Sequence, residues 1–208
     1  MPSIKNYLRD GISVNFAQVA ISLAIGFFTT LTVFDSLTST DFLIFSTVQI
    51  TIFLFVNFSS LEYEQIIRTK VPSLGNSEAY KLTKNLMKTC FYFISFLGIL
   101  YILFSELFNF YNEFGQKRFY FYIFVILCSI PQLFFNFITA HISASYRFKE
   151  LEAGYIKYIH PVRILALLVF YFYFPNLLFI LCSNFLIRIL YLALSINLIG
   201  KEFLRKKI

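Results

Sequence analysis

Ionised side chains are what this sequence has least of. They make up 14% of the chain, against 58% hydrophobic residues, where a soluble domain carries about 25%. That shortage leaves no room for a separate soluble domain in 208 residues and marks a polytopic membrane protein. Carboxylates are the scarcer sign, eleven against eighteen Lys and Arg. None lies in the middle of an apolar run, where an ion or drug antiporter would more naturally place one. Glu62 and Glu64 are two apart and diverge on a helix. No aspartate-rich pair suited to magnesium pyrophosphate occurs, and no HExxH or Walker loop. His141 has no carboxylate three or four residues away, and no ordered Ser/His/Asp set is recognisable. The inventory is poor for catalysis, so we expect no enzyme and no cofactor. Cysteine is also sparse. Cys90, Cys128 and Cys182 each fall in an apolar run without a CxxC or zinc spacing, as small apolar packers rather than metal ligands or a disulfide.

The net charge of +7 would suggest nucleic acid in a soluble protein. Here the positive-inside rule is the simpler cause, and no nucleic-acid partner is expected. A bilayer takes roughly 20 apolar residues to cross. Six such spans are expected at 13–34, 42–64, 86–108, 119–145, 157–174 and 176–199. Residues 1–12 form a short amphipathic lead, and 200–208 a basic tail. Lys5 and Arg9 precede the first run as in a signal peptide, but that run is too long and no small-residue cleavage site follows it. Pro72 and Gly75 break the second connection, and Pro175 makes a tight turn before the last span. With the N-terminus in the cytoplasm, thirteen Lys and Arg fall in cytoplasmic segments and two, Lys117 and Arg118, outside. Both termini are therefore expected on the cytoplasmic side of the membrane.

Arg188 stands in the middle of the last span, NLLFILCSNFLIRILYLALSINLI. At a rise of about 1.5 Å per residue it lies roughly 18 Å from either end. Such an arginine costs roughly 2.5–3.5 kcal/mol. The fifteen Leu, Ile and Phe residues of the span return about 0.3–0.6 kcal/mol each, so the segment still inserts. Asn184, Tyr191 and Ser195 share its face. Polar residues recur at the helical period elsewhere: Asn15, Gln18, Ser22, Gly26 and Thr29 in the first span; Ser46, Gln49, Asn57, Ser60 and Glu64 in the second; Ser129, Gln132, Asn136, Thr139, Ser143 and Arg147 in the fourth. Any one stripe is explained by helix packing, and Ser22 with Gly26 permits a close approach. Four together fit a shared hydrated lumen. Two readings of Arg188 stand side by side: a cation satisfied by neighbouring helices as glue, and a cation facing a wet cavity that receives an anion. Lys88, Arg163 and Arg68 join it as candidates, with interfacial snorkelling the alternative for each. His160 reads as structural.

Four stretches carry a resemblance: LRDGISVNFAQV, TSTDFLIFSTVQI, LEYEQIIRTKVPSLGNSEAYKLTKNLMK and HISASYRFKELEAGYIKYIHPVRILALLVF. Together with the six-span layout they resemble the N-terminal half of polysaccharide flippases of the MATE-like MOP superfamily, the Wzx-type O-antigen translocases. The resemblance implies an all-α membrane protein forming one six-helix lobe. It implies translocation of a lipid-linked oligosaccharide, pyrophosphate-bearing, through a cationic cavity. Arg188 is carried over first, then Arg163 and Lys88, with Arg68 in the basic second-to-third connection. Gln49, Asn57, Gln132, Asn136 and Asn184 would supply polar walls. The family has two such lobes and this chain supplies one, so a second six-helix lobe is expected, from another copy or a separate chain. Another transporter of this type, a membrane enzyme of glycan assembly, or a non-transporting assembly protein are the alternatives.

Overall fold

The structure is a computed structural model. It describes residues 4–60, 62–108, 115, 117–145 and 152–205, without the side chains of 4–15, 17, 18 and 198–205. Asn15, Gln18, Arg147 and the basic tail side chains fall outside the described residues.

Long apolar runs with no competing turn chemistry give helices throughout. In order these are α1 (Ile4–Ser36), α2 (Ser39–Ser60), a short α3 (Tyr63–Lys70), α4 (Asn76–Leu107), α5 (Arg118–Ala144), α6 (His160–Tyr173) and α7 (Leu177–Arg205). No strand occurs among the described residues. Six helices are long and apolar enough to cross a membrane, so the protein is an all-α, six-span membrane protein. The pairs Phe91–Phe134 and Tyr101–Tyr122 run α4 antiparallel to α5. Contacts of Arg188 with Gln132 and of Tyr191 with Phe135 run α7 parallel to α5. The spans therefore alternate in direction.

Boundaries differ from the expected ones where the backbone, not hydropathy, decides. The amphipathic lead and the first span are one continuous helix. The second span does not reach Glu64. Glu62 adopts a left-handed conformation at φ 60°, which ends α2. Its carbonyl then accepts the first bond of α3, from Gln65 N–H at 2.8 Å. The expected second loop is mostly helix, because Pro72 and Gly75 interrupt the chain only between α3 and α4. At the start of α6, Pro161 has no N–H to bond the carbonyl four residues back. The helix widens into a π-turn at Tyr155–Ile159, where His160 N–H reaches the Tyr155 carbonyl.

α5 is the central helix. Phe121, Val125, Leu133, Phe137 and Ala140 are fully buried along it, beside the polar face that carries Gln132 and Asn136. α2, α3, α4 and α7 surround it. α1 is peripheral and leans on α6. A cavity of about 590 Å3 lies between these two, lined by Ile25, Phe28, Leu168 and Tyr171 among others. It is apolar and carries none of the stripe residues, so it is not the wet lumen anticipated from them. Gly26 has open space where a Cβ would stand, so it does not serve the close helix approach expected of it. Among the described glycines the tight one is Gly154, whose added Cβ would lie 3.1 Å from the Leu194 side chain. Gly154→Val is therefore expected to destabilise by about 1–3 kcal/mol through overpacking. Gly26→Val should stay within about 0.5 kcal/mol, as at an unpacked surface site. Thermal unfolding in detergent compares the two.

Candidate functional site

An arginine in hydrocarbon must find acceptors, and the helical period decides which helices offer them. The Arg188 face of α7 lies along α5, one side of which carries Gln132 and Asn136. α2 presents Gln49 to the same point. Arg188 Nη1 donates to Gln132 Oε1, and Nη2 donates to Gln49 Oε1 at 3.1 Å. The guanidinium thus joins α2, α5 and α7. The amide of Gln132 continues the chain: its Nε2 donates to Asn136 Oδ1 at 2.9 Å, and Asn136 Nδ2 donates to Glu64 Oε1 at 3.2 Å. A polar track runs from mid-bundle toward the end of the bundle that holds α3.

Two features decide the electrostatics. The ion pairs among the described residues are Lys117–Asp41 at 2.6 Å and Arg118–Glu106 at 3.6 Å, both at the opposite end of the bundle. No carboxylate pairs with Arg188. Amide oxygens solvate its charge without cancelling it, and Glu64 is two amides away. Second, the pairing is incomplete. Arg188 Nε and Gln49 Nε2 are both buried donors without an acceptor, on side chains that touch each other.

Arg163 comes close to this level. Gly154 meets Leu194, and Phe170 meets Phe179. Interpolating between them sets Arg163 opposite Phe185 and Leu186, about one turn from Arg188. The sequence puts Arg163 near the end of its span. The π-turn continues the helix back to Glu152, so Arg163 lies near its middle, half-buried and without a carboxylate partner among the described residues.

The remaining candidates are not brought to this point. Lys88 is exposed, with Nζ over the Tyr92 ring at 5.9 Å. It points away from the core because Cys90, two positions on, is the fully buried residue. Arg68 is exposed on α3. Asn57 is exposed, and its amide donates to the Phe53 carbonyl of its own helix at 2.9 Å. Asn184 does the same to Ile180 at 2.9 Å, half-buried one turn from Arg188. Cys182 is exposed, unlike Cys90 and Cys128. Glu64, expected on the second span's polar stripe, reaches the site from α3 and not from α2.

Beyond the arginine the α7 face meets an aromatic cluster. Tyr155, Tyr191 and Phe135 pack edge to face or tilted at 5.0–5.8 Å. The Tyr155 hydroxyl lies 3.5 Å from Ser195 Oγ. This cluster holds the π-turn to α7 and α5. His141 Nδ1 lies 2.8 Å from Thr83 Oγ1, tying α5 to α4. No group of side chains able to hold a metal ion occurs among the described residues. The chain matches no protein-family model, no curated protein and no solved structure.

Proposed function

We propose that this chain is one six-helix lobe of a membrane transporter of the MATE-like type. In this reading it moves a lipid-linked oligosaccharide across the bacterial cytoplasmic membrane for surface polysaccharide synthesis, with both termini in the cytoplasm. The observation that carries the proposal is the Arg188 guanidinium, mid-membrane, solvated by two amide oxygens and paired with no carboxylate. Its positive charge in a low-dielectric site is unspent, which favours an anion. A substrate phosphate fits, because a guanidinium presents a planar fork matched to phosphate oxygens. Arg163 at nearly the same depth adds a second cation. The lipid tail stays in the bilayer. A second lobe, a copy of this chain or a separate one, completes the cavity, and one lobe rocks against the other.

The test is complementation of a strain lacking its own flippase. Arg188→Lys should lose more function than Arg163→Lys. An ammonium cannot hold Gln49 and Gln132 in the plane of one fork, whereas no paired acceptors engage Arg163. Equal tolerance at the two positions would remove Arg188 from the substrate site. One specific observation favours a second reading. Both outer nitrogens of Arg188 are already engaged across three helices, which suits an assembly protein that transports nothing and uses the arginine as glue. The two readings part over what happens when the charge is neutralised in place.

A further inference from the structure

We infer that Glu64 is a positioning residue: through Asn136 and Gln132 it dictates which end of each amide faces the next group, and so presents an acceptor to Arg188. The inference concerns how Arg188 is held and does not depend on the transport reading.

An amide has a donor end and an acceptor end, and turning it over exchanges them. Nothing in Gln132 or Asn136 alone fixes that choice. The two ends of the track do. Arg188 has only donors. The Glu64 carboxylate takes its bond as an acceptor. Asn136 must turn its Nδ2 toward Glu64, found at 3.2 Å. Its Oδ1 then faces Gln132, whose Nε2 comes to it at 2.9 Å. Gln132 Oε1 is left facing Arg188 Nη1. Each bond points the same way, from cation to carboxylate. Turning either amide over would set donor against donor at one end and acceptor against acceptor at the other. Gln49 has no such anchor. Its oxygen faces Arg188 and its Nε2 ends in a buried dead end. One of the two acceptors is thus oriented from both ends, and the other by the arginine alone.

Charge relocation tests this on the full chain in detergent. In Glu64→Gln the anchor becomes an amide that offers either end, so the polarity is lost. In Asn136→Asp two carboxylates meet. In the double variant Glu64→Gln/Asn136→Asp, residue 64 donates, residue 136 accepts from both sides, and Gln132 again turns its oxygen to Arg188. The readout is the rate of modification by phenylglyoxal, followed by mass spectrometry at Arg188 and at Arg163. The reagent attacks the outer guanidinium nitrogens, the two engaged here. We expect Glu64→Gln to raise the Arg188 rate severalfold with the Arg163 rate unchanged, and Asn136→Asp, whose carboxylate still accepts from Gln132 Nε2, to leave the Arg188 rate within about twofold of the wild type. The double variant should return to within about twofold of the wild type. Equal acceleration at both arginines in a single variant reports general loosening, and the double variant then decides. Recovery at Arg188 supports the relay. A double variant no better than Glu64→Gln alone overturns it, as does a Glu64→Gln protein whose Arg188 rate is unchanged.

Discussion

An Arg188→Met protein is expected to fold normally and to fail in transport. The stability terms nearly cancel. Removing the guanidinium relieves roughly 2.5–3.5 kcal/mol of membrane cost. It also leaves the oxygens of Gln49 and Gln132 without their donor, at about 1–3 kcal/mol each. Methionine fills the space of the stem with a flexible apolar chain. The unfolding temperature in detergent should therefore move only a few degrees in either direction. Function does not cancel in this way. Two charge-assisted bonds to a substrate phosphate are worth about 1.5–3 kcal/mol each. Together that is about 10²–10⁴-fold in binding, at 1.4 kcal/mol per tenfold. Complementation should drop to the level of the empty vector, with the protein present in membranes at wild-type amount. An Arg188→Met protein that complements fully would remove the cation from the transport mechanism. One that unfolds would show that the arginine is worth more to the bundle than these terms allow.

How much of this was legible in the sequence differs between its elements. The six spans follow from runs of apolar residues, and the fourth matches to within a residue at each end because Arg118 and the turn after Ala144 bound it. The meeting of Gln49, Gln132 and Arg188 was legible as three polar faces at the helical period. Which faces meet was not, since period fixes a face only relative to its own helix. Lys88 shows the limit. A lysine in an apolar run reads the same whether it points in or out, and only the burial of Cys90, 200° around the helix, puts it outside. Asn57 satisfies its amide on the Phe53 carbonyl, a local bond open to any residue of its type. Glu64 falls on the second span's stripe only if one helix runs straight through. The left-handed turn at Glu62 breaks that run, since a non-glycine residue there carries no composition signal. The chain doubles back, and α3 brings Glu64 to Asn136 by a route no periodicity describes. Arg163 was displaced for a related reason. Pro161 reads as a helix start, but the widened turn before it extends the span to Glu152.

Gln49→Glu is the substitution that separates an anion site from structural glue, and it is expected to give a more stable, inactive protein. The carboxylate oxygen would replace an amide oxygen already 3.1 Å from Arg188 Nη2, so a charge–charge contact forms with no rearrangement. Two terms act in the same direction. The buried Gln49 Nε2 donor, which has no partner, disappears, relieving about 1–3 kcal/mol. The arginine gains a counter-charge. Removing one member of a buried pair typically costs 3–5 kcal/mol because a charge is left uncompensated. Supplying the missing member should recover a share of that, less the cost of drying the new carboxylate. A net gain of about 2–4 kcal/mol corresponds to roughly 5–15 °C in unfolding temperature for a chain of this size. The fixed carboxylate then occupies the place proposed for the substrate phosphate, and an incoming phosphate meets a neutral site. Complementation should be lost as completely as with Arg188→Met, from a protein that melts higher than the wild type. If the arginine serves only to join α2, α5 and α7, the stabilised protein keeps its function. A variant that is both more stable and fully active would therefore overturn the anion site. One that is not stabilised at all would mean that the guanidinium does not lie against residue 49.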